Sequence, residues 1–134
     1  MSDRRDVTGV WYGRWTSPHP NIRPNTFIAT LVEAHARISG SISEPDLWGS
    51  GILGADVDGA RAGGRLEFIK HYNSGRLSHA VHYAGTINAA GTDINGTWQL
   101  RQYSGSFSMT REIFDDLDVE DEEKVEKREE ATVR

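Results

Sequence analysis

The chain has 134 residues, with 15 Lys and Arg against 20 Asp and Glu, and no cysteine. That length suits one domain with an appendage rather than two domains, and the lack of cysteine excludes disulfides, thiolate nucleophiles and cysteine-based zinc sites. The net charge of −5 is unevenly spread: residues 112–134 carry 11 acidic and 4 basic side chains, whereas residues 1–111 carry 9 and 11. The body is therefore close to neutral and offers no basic footprint for nucleic acid.

The opening MSDRRDVTG is charged and lacks the apolar stretch of a signal peptide. No apolar run approaches the roughly 18 residues of a membrane helix. A cytoplasmic protein without a membrane partner is expected.

Along the body the pattern alternates with period two, and almost nothing repeats at helical period. The first strand is VTGVWYGRW, with Val7, Gly9, Trp11, Gly13 and Trp15 on one face. SPHPNIRPN holds three of the four prolines and reads as a loop. FIATLVEA puts Phe27, Ala29 and Leu31 together. ARISGSISE follows a short junction at His35, which predicts a tight hairpin, and places Ile38, Gly40 and Ile42 on one face. Residues 44–54, EPDLWGSGILG, read as a long excursion carrying Leu47 and Trp48, with Trp48 placed to cover a barrel mouth or to anchor the loop. ADVDGARA is a weak strand.

RLEFIKHY and RLSHAVHYAGTI flank NSG, a turn sequence because Asn and Gly tolerate positive φ. TDINGTWQLR and SGSFSMTR complete about eight strands, with Phe107 and Met109 sharing a face. Short connections throughout predict an all-β, antiparallel up-and-down meander. Closing eight such strands into a barrel removes both sheet edges. Closure needs local bends, which explains glycines inside strands at Gly40, Gly85, Gly96 and Gly105. An open sheet or sandwich is the alternative. Residues 1–111 thus form the barrel domain. Residues 112–134 form an acidic tail, helical or disordered, with Glu123/Lys127 and Glu120/Lys124 at helix-compatible spacing.

With the strands in order, the chain resembles the avidin and streptavidin family, and more loosely the lipocalin-type (calycin) barrels. GVWYG is similar to the Gly-x-Trp of their first strands, TWQLR to the tryptophan strand of avidins, and SGSFSMTR to a closing strand. The resemblance spans about residues 7–111. It implies a cavity at one end, with Trp98 and Tyr83 as wall residues, and pairing into a homodimer or homotetramer through exposed residues such as Ile28, Val32 and Ile69. The biotin-site residues are missing: Gly13 stands where biotin binders place an asparagine, and the last strand offers Ser106 or Ser108 but neither asparagine nor aspartate. Biotin is not the expected ligand.

The densest group of reactive side chains lies on RLEFIKHYNSGRLSHAVHY. Alternation turns Leu66, Phe68, Lys70 and Tyr72 inward, with Leu77, His79, Val81 and Tyr83, and turns Glu67, His71 and His82 outward. Trp11, Trp15 and Trp98 face inward, and Arg14 and Arg101 face solvent. No cofactor or metal site is expected: His79 and His82 fall on opposite faces of a strand, and no third ligand is evident.

The candidate ligand-binding residues are Trp11, Trp15, Lys70, Tyr72, His79, Tyr83 and Trp98, around a small apolar or amphipathic molecule. Whether the interior is hollow stays open. A filled barrel acting as a structural or protein-interaction module is the first alternative. A cofactor-independent acid–base isomerase, cyclase or decarboxylase using His79 and Tyr83, or Glu67, is the second.

Overall fold

In the computed structural model, residues 3–73 and 79–112 are described. They form eight strands: β1 (Gly9–Thr16), β2 (Asn25–Ala34), β3 (Arg37–Pro45), β4 (Ile52–Ala62), β5 (Arg65–Tyr72), β6 (Ala80–Ile87), β7 (Asp93–Leu100) and β8 (Tyr103–Thr110). Each pairs antiparallel with its neighbour in sequence, and β1 pairs with β8 to close an up-and-down barrel. Ser74 and Gly75 of the NSG turn, Leu77 and the tail beyond Glu112 lie outside the described residues.

The alternation seen in the sequence is the barrel's inside and outside. Phe27, Ala29 and Leu31 of β2, Ile38 and Ile42 of β3, and Leu66, Phe68, Lys70 and Tyr72 of β5 are buried. The intervening Ser39, Ser41, Asp56, Asp58, Glu67, His71 and His82 are exposed, as are Arg14 and Arg101. Each fully buried large apolar side chain contributes about 1.5–3 kcal/mol. The outward side is not uniformly polar: Val10, Tyr12, Ile28, Val32, Ile52 and Ile69 stand exposed, and Tyr12 sits opposite Ile28 in the β1–β2 register.

Two sequence expectations need correction. The excursion expected at 44–54 shrinks to residues 46–51, because β3 runs to Pro45 and β4 begins at Ile52. The weak strand ADVDGARA belongs to the longest strand, β4, which is paired along its length by β3 and β5. Pairing on both sides overrides its poor local propensity. The hairpin at His35 forms as expected: Ala34 pairs with Arg37, and His35 and Ala36 both adopt positive φ, 53° and 65°, the geometry that matches strand twist in a two-residue loop.

The in-strand glycines answer close approach. Gly85 and Gly96 pair across β6 and β7. A Cβ on Gly96 would lie 2.0 Å from the Ala84 carbonyl oxygen and 2.5 Å from Gly85 Cα. A Cβ on Gly105 would lie 2.6 Å from Trp98 Nε1. Close strand approach and the room for tryptophan are thus both served, by different glycines. Gly96→Ala is expected to cost about 2–3 kcal/mol of stability. Gly64→Ala, where a Cβ would meet only ordinary contacts, is expected to be neutral within about 0.5 kcal/mol. Urea denaturation of both variants checks the contrast.

Candidate functional site: an aromatic cavity at one end of the barrel

The two ends of the barrel differ. At the end where β1 begins, Val7 and Trp11 are fully buried, and Trp11 Nε1 donates to the Val7 carbonyl at 2.9 Å. Arg111 lies over the Trp11 ring, 4.3 Å from its centroid. Its guanidinium donates to the carbonyls of Arg4, Asp6, Thr8 and Gly91, strapping residues 3–8 across the barrel. Beside it, Arg61 bonds Glu33 and Asp3 at 2.7 and 2.8 Å. This end is sealed.

Above the seal, Phe68 stacks on Tyr83 with centroids 4.8 Å apart, and Phe107 meets both edge-on. These three rings fill the middle of the barrel. Beyond them, at the end bearing the β1–β2 loop and the β7–β8 turn, a cavity of about 300 Å³ opens. Trp15 of β1 and Trp98 and Leu100 of β7 wall one side, and Tyr72, His79, Val81 and Tyr83 the other. Tyr103 of β8 and His19, Asn21 and Ile22 of the β1–β2 loop complete the rim. Trp15 meets Trp98 edge-on at 5.8 Å, and Trp98 Nε1 is held by a 2.9 Å bond to the Thr16 carbonyl. Tyr103 and His19 pack edge-on at 5.0 Å.

Beside the cavity lies a buried polar cluster that was only half legible in the sequence. Lys70 is 1% exposed and Glu44 3%, and the Lys70 ammonium donates directly to Glu44 Oε1. The Tyr72 hydroxyl accepts from Lys70 at 2.9 Å and donates to Glu44 Oε2 at 3.0 Å. Asn25 Nδ2 adds a 3.3 Å bond to Glu44. Burial lowers the Lys70 ammonium's affinity for its proton, against the pull of Glu44. Burial and then Glu44 push the Tyr72 hydroxyl well above its ordinary range, so it stays protonated.

Five of the seven expected ligand residues line the cavity: Trp15, Tyr72, His79, Tyr83 and Trp98. Two do not. Trp11 is buried under Arg111 at the sealed end, because residues 3–8 cover it. Lys70 points inward as expected, but its charge is taken up by Glu44. Trp48 is 73% exposed and lines no part of the cavity. Glu67, the alternative acid or base, is on the outer face.

The sequence reading missed Glu44, Leu100, Tyr103 and the β1–β2 loop residues. Parity held the signal for two of them: Glu44 continues the inward series Ile38, Gly40, Ile42, and Tyr103 the series Gly105, Phe107, Met109. His79 packs edge-on to Tyr72 at 4.9 Å. Burial first, then the Lys70 and Arg101 cations, hold its imidazole below its ordinary value, opposed by Glu44.

Fold and site together define a closed up-and-down barrel with an aromatic-walled cavity at one end. No protein-family model matches the chain, and no curated protein matches its sequence.

Two outcomes are expected. Lys70→Met leaves Glu44 buried without its cation and should cost about 3–5 kcal/mol, while adding Glu44→Leu should recover most of that loss; thermal and urea unfolding of the single and double variants measure it. For His79, the unfolded imidazole binds a proton at its ordinary value of 6.5 while the folded one resists it. Between those two values the unfolded chain holds more protons, so the stabilisation is full above pH 6.5. It is lost as pH falls through the folded value. An NMR titration should place the His79 midpoint below 6.5, and His79→Gln should flatten the stability profile in that window.

Proposed function

We propose that the protein is a small-molecule-binding β-barrel that holds an apolar or amphipathic ligand in the open end of its interior. The observation that carries this reading is the cavity of about 300 Å³ between Trp15, Trp98 and Tyr83, in a barrel whose other end is sealed. Its size and its few polar groups among aromatic walls suit a ligand site. Tyr83 and His79 serve as the polar anchors. The likeness to avidin-type barrels supports the reading at the level of fold, with Trp98 and Tyr83 on the cavity wall. Ligand chemistry does not transfer with a fold, and biotin is not proposed. The outer strand faces are largely polar, the reverse of a lipid-facing barrel, which suits a protein working in water, in the cytoplasm on our reading.

The acid–base alternative has less support. Burial pushes the Tyr83 hydroxyl above its ordinary range, so it donates a hydrogen bond rather than a proton. The interaction-module alternative draws on the exposed strip of Val10, Tyr12, Ile28 and Val32, a surface suited to a second copy in a homodimer or homotetramer.

A titration with the neutral fluorophore N-phenyl-1-naphthylamine tests the main reading. Saturable one-to-one binding is expected. Leu100→Trp, which fills the cavity, should abolish the fluorescence gain, and Ile28→Ser on the outer face should leave it intact. Failure of the parent chain to take the probe would shift the function to the outer face.

A further inference from the structure

Two hydrogen-bond donors at the cavity find no acceptor among the described residues. Tyr83 is 2% exposed and lines the cavity, its ring is held by Phe68 and Phe107, and its hydroxyl has no hydrogen-bond partner among the described residues. The Trp15 Nε1–H is buried and equally without a partner among the described residues. The other two inward tryptophans are satisfied, Trp11 by the Val7 carbonyl and Trp98 by the Thr16 carbonyl. A buried donor such as the Trp15 Nε1–H is rarely left this way, since it costs about 1–3 kcal/mol. An indole N–H can only donate, and the Tyr83 hydroxyl keeps its proton. What the described residues of the site lack is an acceptor.

The charge balance narrows the acceptor. The buried cation nearby, Lys70, is already paired with Glu44, His79 is held towards its neutral form, and Arg101 is exposed. A carboxylate brought against Tyr83 would be a buried charge without a counter-ion, which is far more costly than a buried neutral oxygen. The rest of the wall, Trp15, Trp98, Leu100 and Val81, offers flat apolar contact. We infer that the cavity takes a neutral aromatic compound whose carbonyl oxygen accepts hydrogen bonds from Tyr83 and Trp15. This rests on the ligand-binding reading above and specifies its chemistry.

Three matched probes test it by equilibrium dialysis against the full chain: 2-acetylnaphthalene, 2-ethylnaphthalene, which replaces the carbonyl by a methylene, and 2-naphthoate. The ketone should bind about 5–10-fold more tightly than the hydrocarbon, the yield of one or two neutral hydrogen bonds, and more tightly than the carboxylate. Tyr83→Phe removes a hydroxyl with no internal partner, so circular dichroism and thermal unfolding should match the parent. In that variant most of the ketone's advantage should vanish while hydrocarbon binding holds. Trp15→Phe should remove a further part. Equal binding of ketone and hydrocarbon, tighter binding of naphthoate, or an unchanged ketone affinity in Tyr83→Phe overturns the carbonyl assignment and leaves the cavity reading standing. Binding of none of the three overturns both.

Discussion

Everything in this molecule hangs on the pairing of β1 with β8. That ladder joins Tyr12–Thr16 to Ser106–Thr110 and converts a meander with two sticky edges into a barrel with none. The same seam builds both ends. Trp15 sits opposite Phe107 in it, and the Thr16 carbonyl beside it anchors the Trp98 indole. At its far end Arg111, just past β8, reaches over Trp11 and ties down residues 3–8. An open sheet would lose the aromatic wall and the seal together.

Closure gives the interior a graded filling. Trp11 and the strapped segment stop one end, the Phe68–Tyr83–Phe107 stack occupies the middle, and the remaining aromatic side chains surround space rather than filling it. The choice between a hollow and a plugged barrel therefore has a mixed answer. The plug supports the rings that face the cavity: Tyr83 packs against Phe68 and Phe107 and also lines the cavity. Glycines make this packing feasible, since a side chain at Gly105 would displace the Trp98 indole.

The buried Lys70–Glu44–Tyr72 cluster is the costly element of the design. Two charges out of water are tolerated because each is hydrogen-bonded within the group, and because Asn25 also bonds the Pro45 carbonyl at the end of β3. Its position beside His79 shapes the electrostatics of the cavity: Lys70 is paired with Glu44, and burial with the Lys70 and Arg101 cations discourages the imidazole from charging. A site surrounded by neutral donors follows from that balance.

Much of the barrel was readable before any coordinates, because period-two alternation reports which side chains face inward and short turns force neighbouring strands to pair. Phe27, Leu31, Phe68, Phe107 and Trp98 were placed by that rule alone, and so was the neighbour-to-neighbour strand order; closure was argued from the removal of sheet edges and the in-strand glycines, with an open sheet as the alternative, and the β1–β8 pairing decides it. Glu44 was missed because Glu-Pro reads locally as the start of a loop, and only pairing with Leu53 across β3 and β4 makes it a strand position. Trp11 and Trp15 share one strand face, so the sequence could not tell plug from wall. The chain segment that crosses one end of the barrel, through Arg111 and Val7, separates them. Alternation along the chain determined inside and outside; which inward residues meet a cavity, an ion partner or a seal was decided by contacts between strands distant in sequence, which no local pattern encodes.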